Sequence, residues 1–232
     1  MAFREQLRQI CQLHLSAPEL LAQGIHVVST DEMTGIQALE RAHPNQPIEL
    51  GQVERIEFEY IRHGTQSLIA SWHVAKGKVL NPSIDFTRKE YDFANHIAST
   101  IETDPDAGWI FIVDQLNTHK SASLIRLVAP CCELELDLGI KEKSGILKSM
   151  ETRATFKSDS THRIRFVYLP KHTSWLNQIE CWFSILMRRK LKRGNFVSTD
   201  DLKQQILDFI AYFNSTLAKP FKWKFEGFSE PN

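Results

Sequence analysis

Apolar positions along the chain switch between a spacing of two residues and one of three to four, which predicts alternating strands and helices. Leu7, Ile10, Cys11 and Leu15 recur at helical spacing and predict a short helix and a connection over residues 3–23. The run GIHVVSTDE follows, read as a short apolar strand whose end delivers Asp31. Residues 54–61 alternate with Ile56, Phe58 and Tyr60 on one face, and residues 66–74 with Leu68, Ala70, Trp72 and Val74 on one face. The RHGT link between them contains Gly64 and suits a turn, so the pair reads as an antiparallel hairpin. A helix is expected from Thr87, with Glu90 completing a capping box and Tyr91, Ala94, Ile97, Ala98 and Ile101 as its apolar stripe.

The loop DPDAG leads into WIFIV at 109–113, a continuous apolar run of the kind found in strands buried on both faces, and it ends in Asp114. A helix over 119–129 follows. CELELDL alternates like a strand, while the polar stretch to residue 163 reads as an insertion outside the core. IRFVYLP at 164–170 is the next strand, stopped by Pro170. A helix from Ser174 to Lys192 ends before Gly194, and a last helix starts at Ser198 with Asp201 as its capping partner. Leu202, Ile206, Phe209, Ile210 and Phe213 form its buried face. This order predicts an α/β fold, a mixed sheet flanked by helices.

Composition narrows the class. Apolar residues make up 42% of the 232, enough for one sizeable core. The formal net charge is zero, which argues against a free-standing nucleic-acid binder, yet RRKLKR at 188–193 and KPFKWK near the end are strongly basic and able to steer DNA locally. Cys11, Cys131, Cys132 and Cys181 include no C-x-x-C pair, so neither a zinc site nor a disulfide framework is expected. Arg4, Glu5 and Arg8 break any signal-peptide core, and Trp109–Val113 is too short to span a bilayer. A soluble, cytoplasmic protein is expected.

The candidate chemistry lies in three acids. Asp31 and Asp114 each follow an apolar strand, where sites collect in α/β sheets. Glu180 sits at the edge of the helical arc formed by Leu176, Ile179, Trp182, Phe183 and Leu186. Carboxylates held close repel one another, and divalent magnesium or manganese relieves the repulsion through oxygen ligands. Two such ions support in-line phosphoryl transfer. Each acid also has a plainer reading: a turn start for Asp31, a helix cap for Asp114, a rim ion pair for Glu180. The chemistry alone leaves nuclease, phosphatase and transposase open. His119 and His172 are near enough in sequence to orient a ligand carboxylate or approach a phosphate, and Asn177, three positions or about one helical turn before Glu180, is spaced to hold water or metal. Trp175, Trp182 and Phe183 read as core rather than stacking platforms, and Trp223 as a pin for the C-terminal tail.

The words around the acids are more specific. DQLNTHKS around Asp114 and PKHTSWLNQIECWFSIL around Glu180 resemble the two motifs of the bacterial insertion-sequence branch of the Tc/mariner transposase superfamily. STDEMTGIQALER, FEYIRHGTQSLIA and FNSTLAKPFKW are similar to that branch too, so the resemblance runs from about residue 10 to 227. It implies a ribonuclease-H-like fold with Asp31, Asp114 and Glu180 as the catalytic, metal-holding triad. It further implies Mg2+ (or Mn2+)-dependent cutting at element ends, and strand transfer into DNA, at TA in relatives. Arg188, Arg189, Lys190, Lys192 and Arg193 are the expected phosphate contacts.

The expected division is a helix and linker over 1–22, a catalytic domain over 23–228 with an insertion at about 131–163, and a tail over 229–232. Gln115 departs from the superfamily's commoner Asn, and the gap between Asp114 and Glu180 is long for the family. Residues 1–22 are too few for the helix-turn-helix modules that relatives carry. The expectation is therefore a separate catalytic frame, a truncated gene or an isolated domain. It would act as a homo-oligomer, with a separate helix-turn-helix subunit, or survive as a non-cutting regulatory or dimerising remnant.

Overall fold

The computed structural model describes residues 3–44, 57–132, 134 and 136–226. Among these residues five strands form one sheet in the order β3-β2-β1-β4-β5. They are β1 (Ile25–Arg41), β2 (Tyr60–His73), β3 (Lys78–Asp85), β4 (Gly108–Val113) and β5 (Ile164–Tyr168). The first three pair antiparallel, and β4 and β5 join β1 in parallel. Among the described residues six α-helices surround the sheet: α1 (Phe3–Ala22), α2 (Glu90–Ile101), α3 (Ala122–Cys131), α4 (Met150–Lys157), α5 (Gln178–Leu186) and α6 (Thr199–Tyr212).

The continuous apolar run of β4 is explained by two cores. Ile110 and Ile112 point into one with α1, α5 and α6, and Trp109, Phe111 and Val113 point into the other with α2 and α3. Successive strand side chains face opposite sides, so a strand covered on both faces must be apolar at every position. Leu68, Ala70, Trp72 and Val74 share the first core, as their alternation predicts. Leu7, Ile10, Cys11 and Ala17 of α1 lie in it too, while Leu15 is exposed. The helix is longer than the sequence suggested, running through Pro18 to Ala22. His14 and Trp223 bring their rings to 4.5 Å and tie the C-terminal segment to α1.

Several boundaries differ from the sequence expectation. Strand β1 does not end at Asp31 but continues to Arg41, because β2 keeps pairing with it (Asp31 with Ala70, Met33 with Leu68) after β4 has stopped. Gly64 is not a hairpin turn: β2 continues through it with a bulge, at a φ of 125°, where the pairing steps from Gln37 with Thr65 to Leu39 with Arg62. Residues 54–56 of the expected first hairpin strand lie outside the described residues. The turn comes after His73, at Gly77, whose φ is 64° and where a Cβ would fall 2.1 Å from the main chain of Lys219. It leads into β3, whose Asn81 and Pro82 had concealed a strand.

Helix α2 starts at Glu90 rather than Thr87. Asp92, not Glu90, reaches back and accepts from the Lys89 N–H (2.6 Å) and the Thr87 hydroxyl (2.9 Å). Its buried face carries Phe93 and His96 in place of Tyr91, which is exposed. The helix expected over 119–129 is a 3-10 turn (Thr118–Lys120) followed by α3, capped by Ser121.

CELELDL forms no strand among its described residues. Leu138 instead packs in a small cluster with Ala122, Ile125 and Leu147. The polar stretch after it is mostly exposed, but it forms α4, whose Arg153 and Lys157 are buried. The helix expected from Ser174 to Lys192 is broken into a 3-10 turn (Ser174–Leu176), α5, and a π-helical turn (Met187–Leu191). Trp182 and Phe183 are core, but Trp175 is 48% exposed. Among the described residues no helix is long and apolar enough to cross a membrane.

Candidate active site

The parallel register of β1 and β4 runs to Ser29 opposite Ile112, so two residues further along each chain Asp31 comes level with Asp114. Asp31 therefore arises mid-strand on β1 and Asp114 just past the end of β4. Glu180 lies in the first turn of α5. Asn177 stands one turn before it with non-helical backbone, and that break frees its side chain for the sheet. Its Nδ2 donates to Asp31 Oδ2 (3.1 Å) and to the Thr30 carbonyl (3.3 Å). Asp31 Oδ1 accepts from the Glu32 N–H at 2.8 Å.

These contacts leave Asp31 only 5% exposed. Burial pushes its pKa up to about 7, with the Asp114 charge adding to the rise and the Glu32 N–H and His119 opposing it; Glu180 adds to it as well. Glu180 is itself raised by burial and then by Asp114. The three acids thus share one electrostatic field although they are far apart in sequence. Asp114 differs: burial pushes its pKa up, but His119, the Leu116 N–H (2.8 Å) and Lys120 together bring it below the ordinary value.

Two residues outside the expected triad complete the arrangement. His119 is fully buried, with Nδ1 2.7 Å from Asp114 Oδ1 and Nε2 3.3 Å from Glu32 Oε2. Neither approach has the linear alignment of a good hydrogen bond, so both are charged contacts. Burial lowers the imidazole pKa, but the two carboxylates outweigh it and bring it to about 9. The Glu32 side chain is 1% exposed. Ligand atoms of Asp31, Glu32 and His119 all lie within 4.8 Å of one another, while Asp114 and Glu180 stand outside that tightest group.

Glu32 follows Asp31 directly on β1, so strand alternation sends its side chain to the opposite face. Because β4 stops at Val113, the loop bearing Asp114 and His119 meets both side chains of the adjacent pair. The Asp-Glu dipeptide was the signal available in the sequence. Gln115, where the resemblance led to an expectation of Asn, donates through Nε2 to the Leu169 carbonyl (2.7 Å) and accepts from Lys120, which joins the ends of β4 and β5.

Two open grooves adjoin these acids. One, of about 830 Å³, is lined by Glu32, Met33, Glu180, Phe183, Arg188 and Phe221 among others. The second, of about 630 Å³, takes in Asp114, Arg88, Lys171 and His172. His172 is exposed, with a φ of 62°, and faces that groove rather than the buried acids. Arg188, Arg189, Lys192 and Arg193 are exposed and Lys190 half-buried, on and just after the π-helical turn. Arg188 Nε donates to the Ser184 carbonyl at 3.1 Å, which holds its stem along the groove wall. The four cysteines are free thiols, with no part in this cluster.

A family model described as "DDE superfamily endonuclease" matches residues 26–203. Among solved structures, the chain is similar to the catalytic domain of Mos1 mariner transposase, at 11% identity and a TM-score of 0.51, covering 90% of this chain and 80% of that one. It is similar also to the Mos1 transposase catalytic domain with Raltegravir and Mg, at 11% identity and a TM-score of 0.50, covering 90% and 82%. A Mos1 transposase paired-end complex with the left transposon end matches at 14% identity and a TM-score of 0.49, covering 91% of this chain and 56% of that one. The chain thus spans little more than half the length of that transposase. No curated protein matches. At these identities the likeness shows the fold, a ribonuclease-H-like mixed sheet flanked by helices.

Proposed function

Because the chain belongs to the DDE superfamily endonucleases, we propose that it is the catalytic domain of a DNA transposase, which cuts DNA at the ends of an insertion sequence and joins them to a target. The observation that carries this reading is the field shared by Asp31, Asp114 and Glu180. A buried carboxylate raised to about 7 by its surroundings and by like charges is a site built to receive cations. The donors are carboxylate oxygens, which suit magnesium or manganese, the ions named for the similar Mos1 structures. Asp31, Asp114 and Glu180 are the residues that would hold them. A divalent ion bound there supplies Lewis-acid stabilisation for in-line displacement at phosphorus.

The chain's own residues do the rest. Asn177 holds the Asp31 carboxylate against β1, and His119 fixes the rotamer of Asp114. Glu180 closes the site from α5, beside the groove into which a scissile strand would pass. Arg188, Arg189, Lys190, Lys192 and Arg193 would neutralise the phosphates of that strand, fixing position without reading sequence. The catalytic unit is taken as residues 23–228, with α1 as a buried buttress and residues 131–163 inserted before α5. The partners proposed are DNA, a second copy of the chain and a subunit carrying helix-turn-helix modules, in the bacterial cytoplasm at the nucleoid.

The test is cleavage of terminal-repeat duplex DNA by the purified chain in Mg2+ or Mn2+. Cleavage is expected to vanish in chelator and in Asp114→Asn. Undiminished cutting under either condition would overturn the assignment of the site.

A further inference from the structure

We propose that Lys157, on α4 within the polar insertion, is a positioning residue for the metal centre: it fixes the main chain of His119 and so keeps the imidazole between Asp114 and Glu32. The inference rests on the metal-centre reading above. Lys157 has no exposed surface and, among the described residues, no carboxylate partner. Its Nζ donates to the His119 carbonyl. Tyr168 Oη donates to the same oxygen at 3.0 Å. The Lys157 Nζ lies over the Phe166 and Tyr168 rings, 5.0 and 5.7 Å from their centroids. Phe93 closes the other side, its ring 4.1 Å from that of His119.

A lysine so placed is expensive. Long charged side chains are almost never fully buried without a partner, because removing the ammonium from water costs several kcal/mol. Burial accordingly pushes its pKa well down, with Arg153 and Lys120 adding to the effect. A methionine of similar length would fill the same slot beside the aromatic rings at lower cost. Stability alone therefore does not explain the amine. What the amine supplies, charged or neutral, is a hydrogen bond to one carbonyl, on the residue whose side chain touches both Asp114 and Glu32. Supporting contacts of this kind set ligand orientation, and losing one weakens metal affinity by about 10-fold or more.

The experiment is Mn2+ titration calorimetry on the full chain without DNA, paired with melting temperatures in chelator, for the wild type, Lys157→Met and Tyr168→Phe. Lys157→Met is expected to melt at or above the wild-type temperature while binding Mn2+ about 10-fold more weakly. A merely structural lysine would lower both together or neither. An Mn2+ affinity in Lys157→Met within about 2-fold of wild type overturns the proposal. If Lys157→Met does not fold, Tyr168→Phe decides, since it removes the second donor to the same oxygen without opening a cavity. Weaker Mn2+ binding at unchanged melting temperature upholds the proposal, and unchanged binding overturns it. Wild-type protein that binds no Mn2+ removes the metal centre itself and this inference with it, an outcome distinct from a wild type and variant that bind equally.

Discussion

Replacing Asp31 with asparagine should stabilise the metal-free protein while abolishing its response to metal. The carboxylate ionises near pH 3.8 in an ordinary setting and at about 7 in the fold. Between those values the folded state holds a proton that the unfolded chain has lost, so stability falls as the pH rises, and the full penalty is present above pH 7. At about 1.4 kcal/mol per unit, a rise of roughly three units costs about 4 kcal/mol. Asparagine removes the charge but has one acceptor where the carboxylate has two, and the Glu32 N–H and Asn177 Nδ2 both need one. Asn177 Oδ1 has no partner, so that amide can turn to accept from the new one, giving up its bond to Thr30. Charging about 2 kcal/mol for the rearrangement leaves a net gain of about 2 kcal/mol. For a domain of this size that is a rise of roughly 4–8 °C. Thermal melts in chelator at pH 8 should show it, and at pH 5, where most of the penalty has gone, the rise should shrink to nearly nothing. Addition of Mn2+ should then raise the wild-type melting temperature alone. A lower melting temperature for Asp31→Asn in chelator at pH 8, or equal Mn2+ stabilisation of both proteins, would refute the account of a buried, mutually repelling acid cluster.

Three further outcomes are expected. His14, His73 and His96 are buried, and burial lowers their pKa values to about 4, 3 and 4 from 6.5. Between pH 6.5 and 4 the unfolded chain binds up to three more protons at these sites, offset by the one that Asp31 retains when folded. The unfolding free energy from urea titrations in chelator should therefore fall by about 3 kcal/mol for each unit the pH is lowered around pH 5, and a flat profile would contradict the burial of these rings. Gly77→Ala should destabilise by at least about 2 kcal/mol, because the new Cβ meets the Lys219 main chain and forces a left-handed alanine. Denaturant midpoints would check it, and limited proteolysis after residue 217 should quicken as Phe221 loses its stack on Trp72 at 4.6 Å. The double substitution of Arg188 and Arg189 by alanine should weaken DNA binding alike for all sequences and reduce the salt slope by about 2, measured by fluorescence anisotropy against salt concentration. An unchanged slope would place those arginines away from phosphate.

What was legible in the sequence follows from which interactions are local. The double-sided apolar run of β4 and the stripe of α6 could be read because each residue's environment repeats with the period of its own element. The end of β1 could not. STDEMTG looks like a turn, but its backbone is satisfied by β2 after β4 has gone, and pairing partners are remote in sequence. The same holds for β3, where Asn81 at a φ of 38° makes an irregularity inside a strand. Gly64 and Gly77 show the limit from the other side. Both adopt positive φ, but β1 goes on pairing on either side of Gly64, while at Gly77 the chain turns back, its N–H donating to the His73 carbonyl beside the Lys219 main chain.

The site divides along the same line. Asp31, Asp114 and Glu180 stood out because strand ends, a helix edge and long flanking motifs all marked them. The residues that hold them did not, because a support is defined by what it touches. Asn177 was one helical turn from Glu180 on paper, yet its bond goes across to Asp31 on β1. Glu32 was not singled out in the sequence, and its side chain is buried against His119. Lys157 sat in a stretch whose charges predicted solvent, and its amine is among the most deeply buried groups of the fold. Charge on a helix predicts exposure only while water is the best partner available. Where a carbonyl such as that of His119 must be held fixed beneath a cluster of acids, a lysine can be drawn inward, and the sequence carries no periodic trace of it. A polar stretch can therefore send a buried amine to the main chain beside candidate site residues, a contact found only by following hydrogen bonds outward from them.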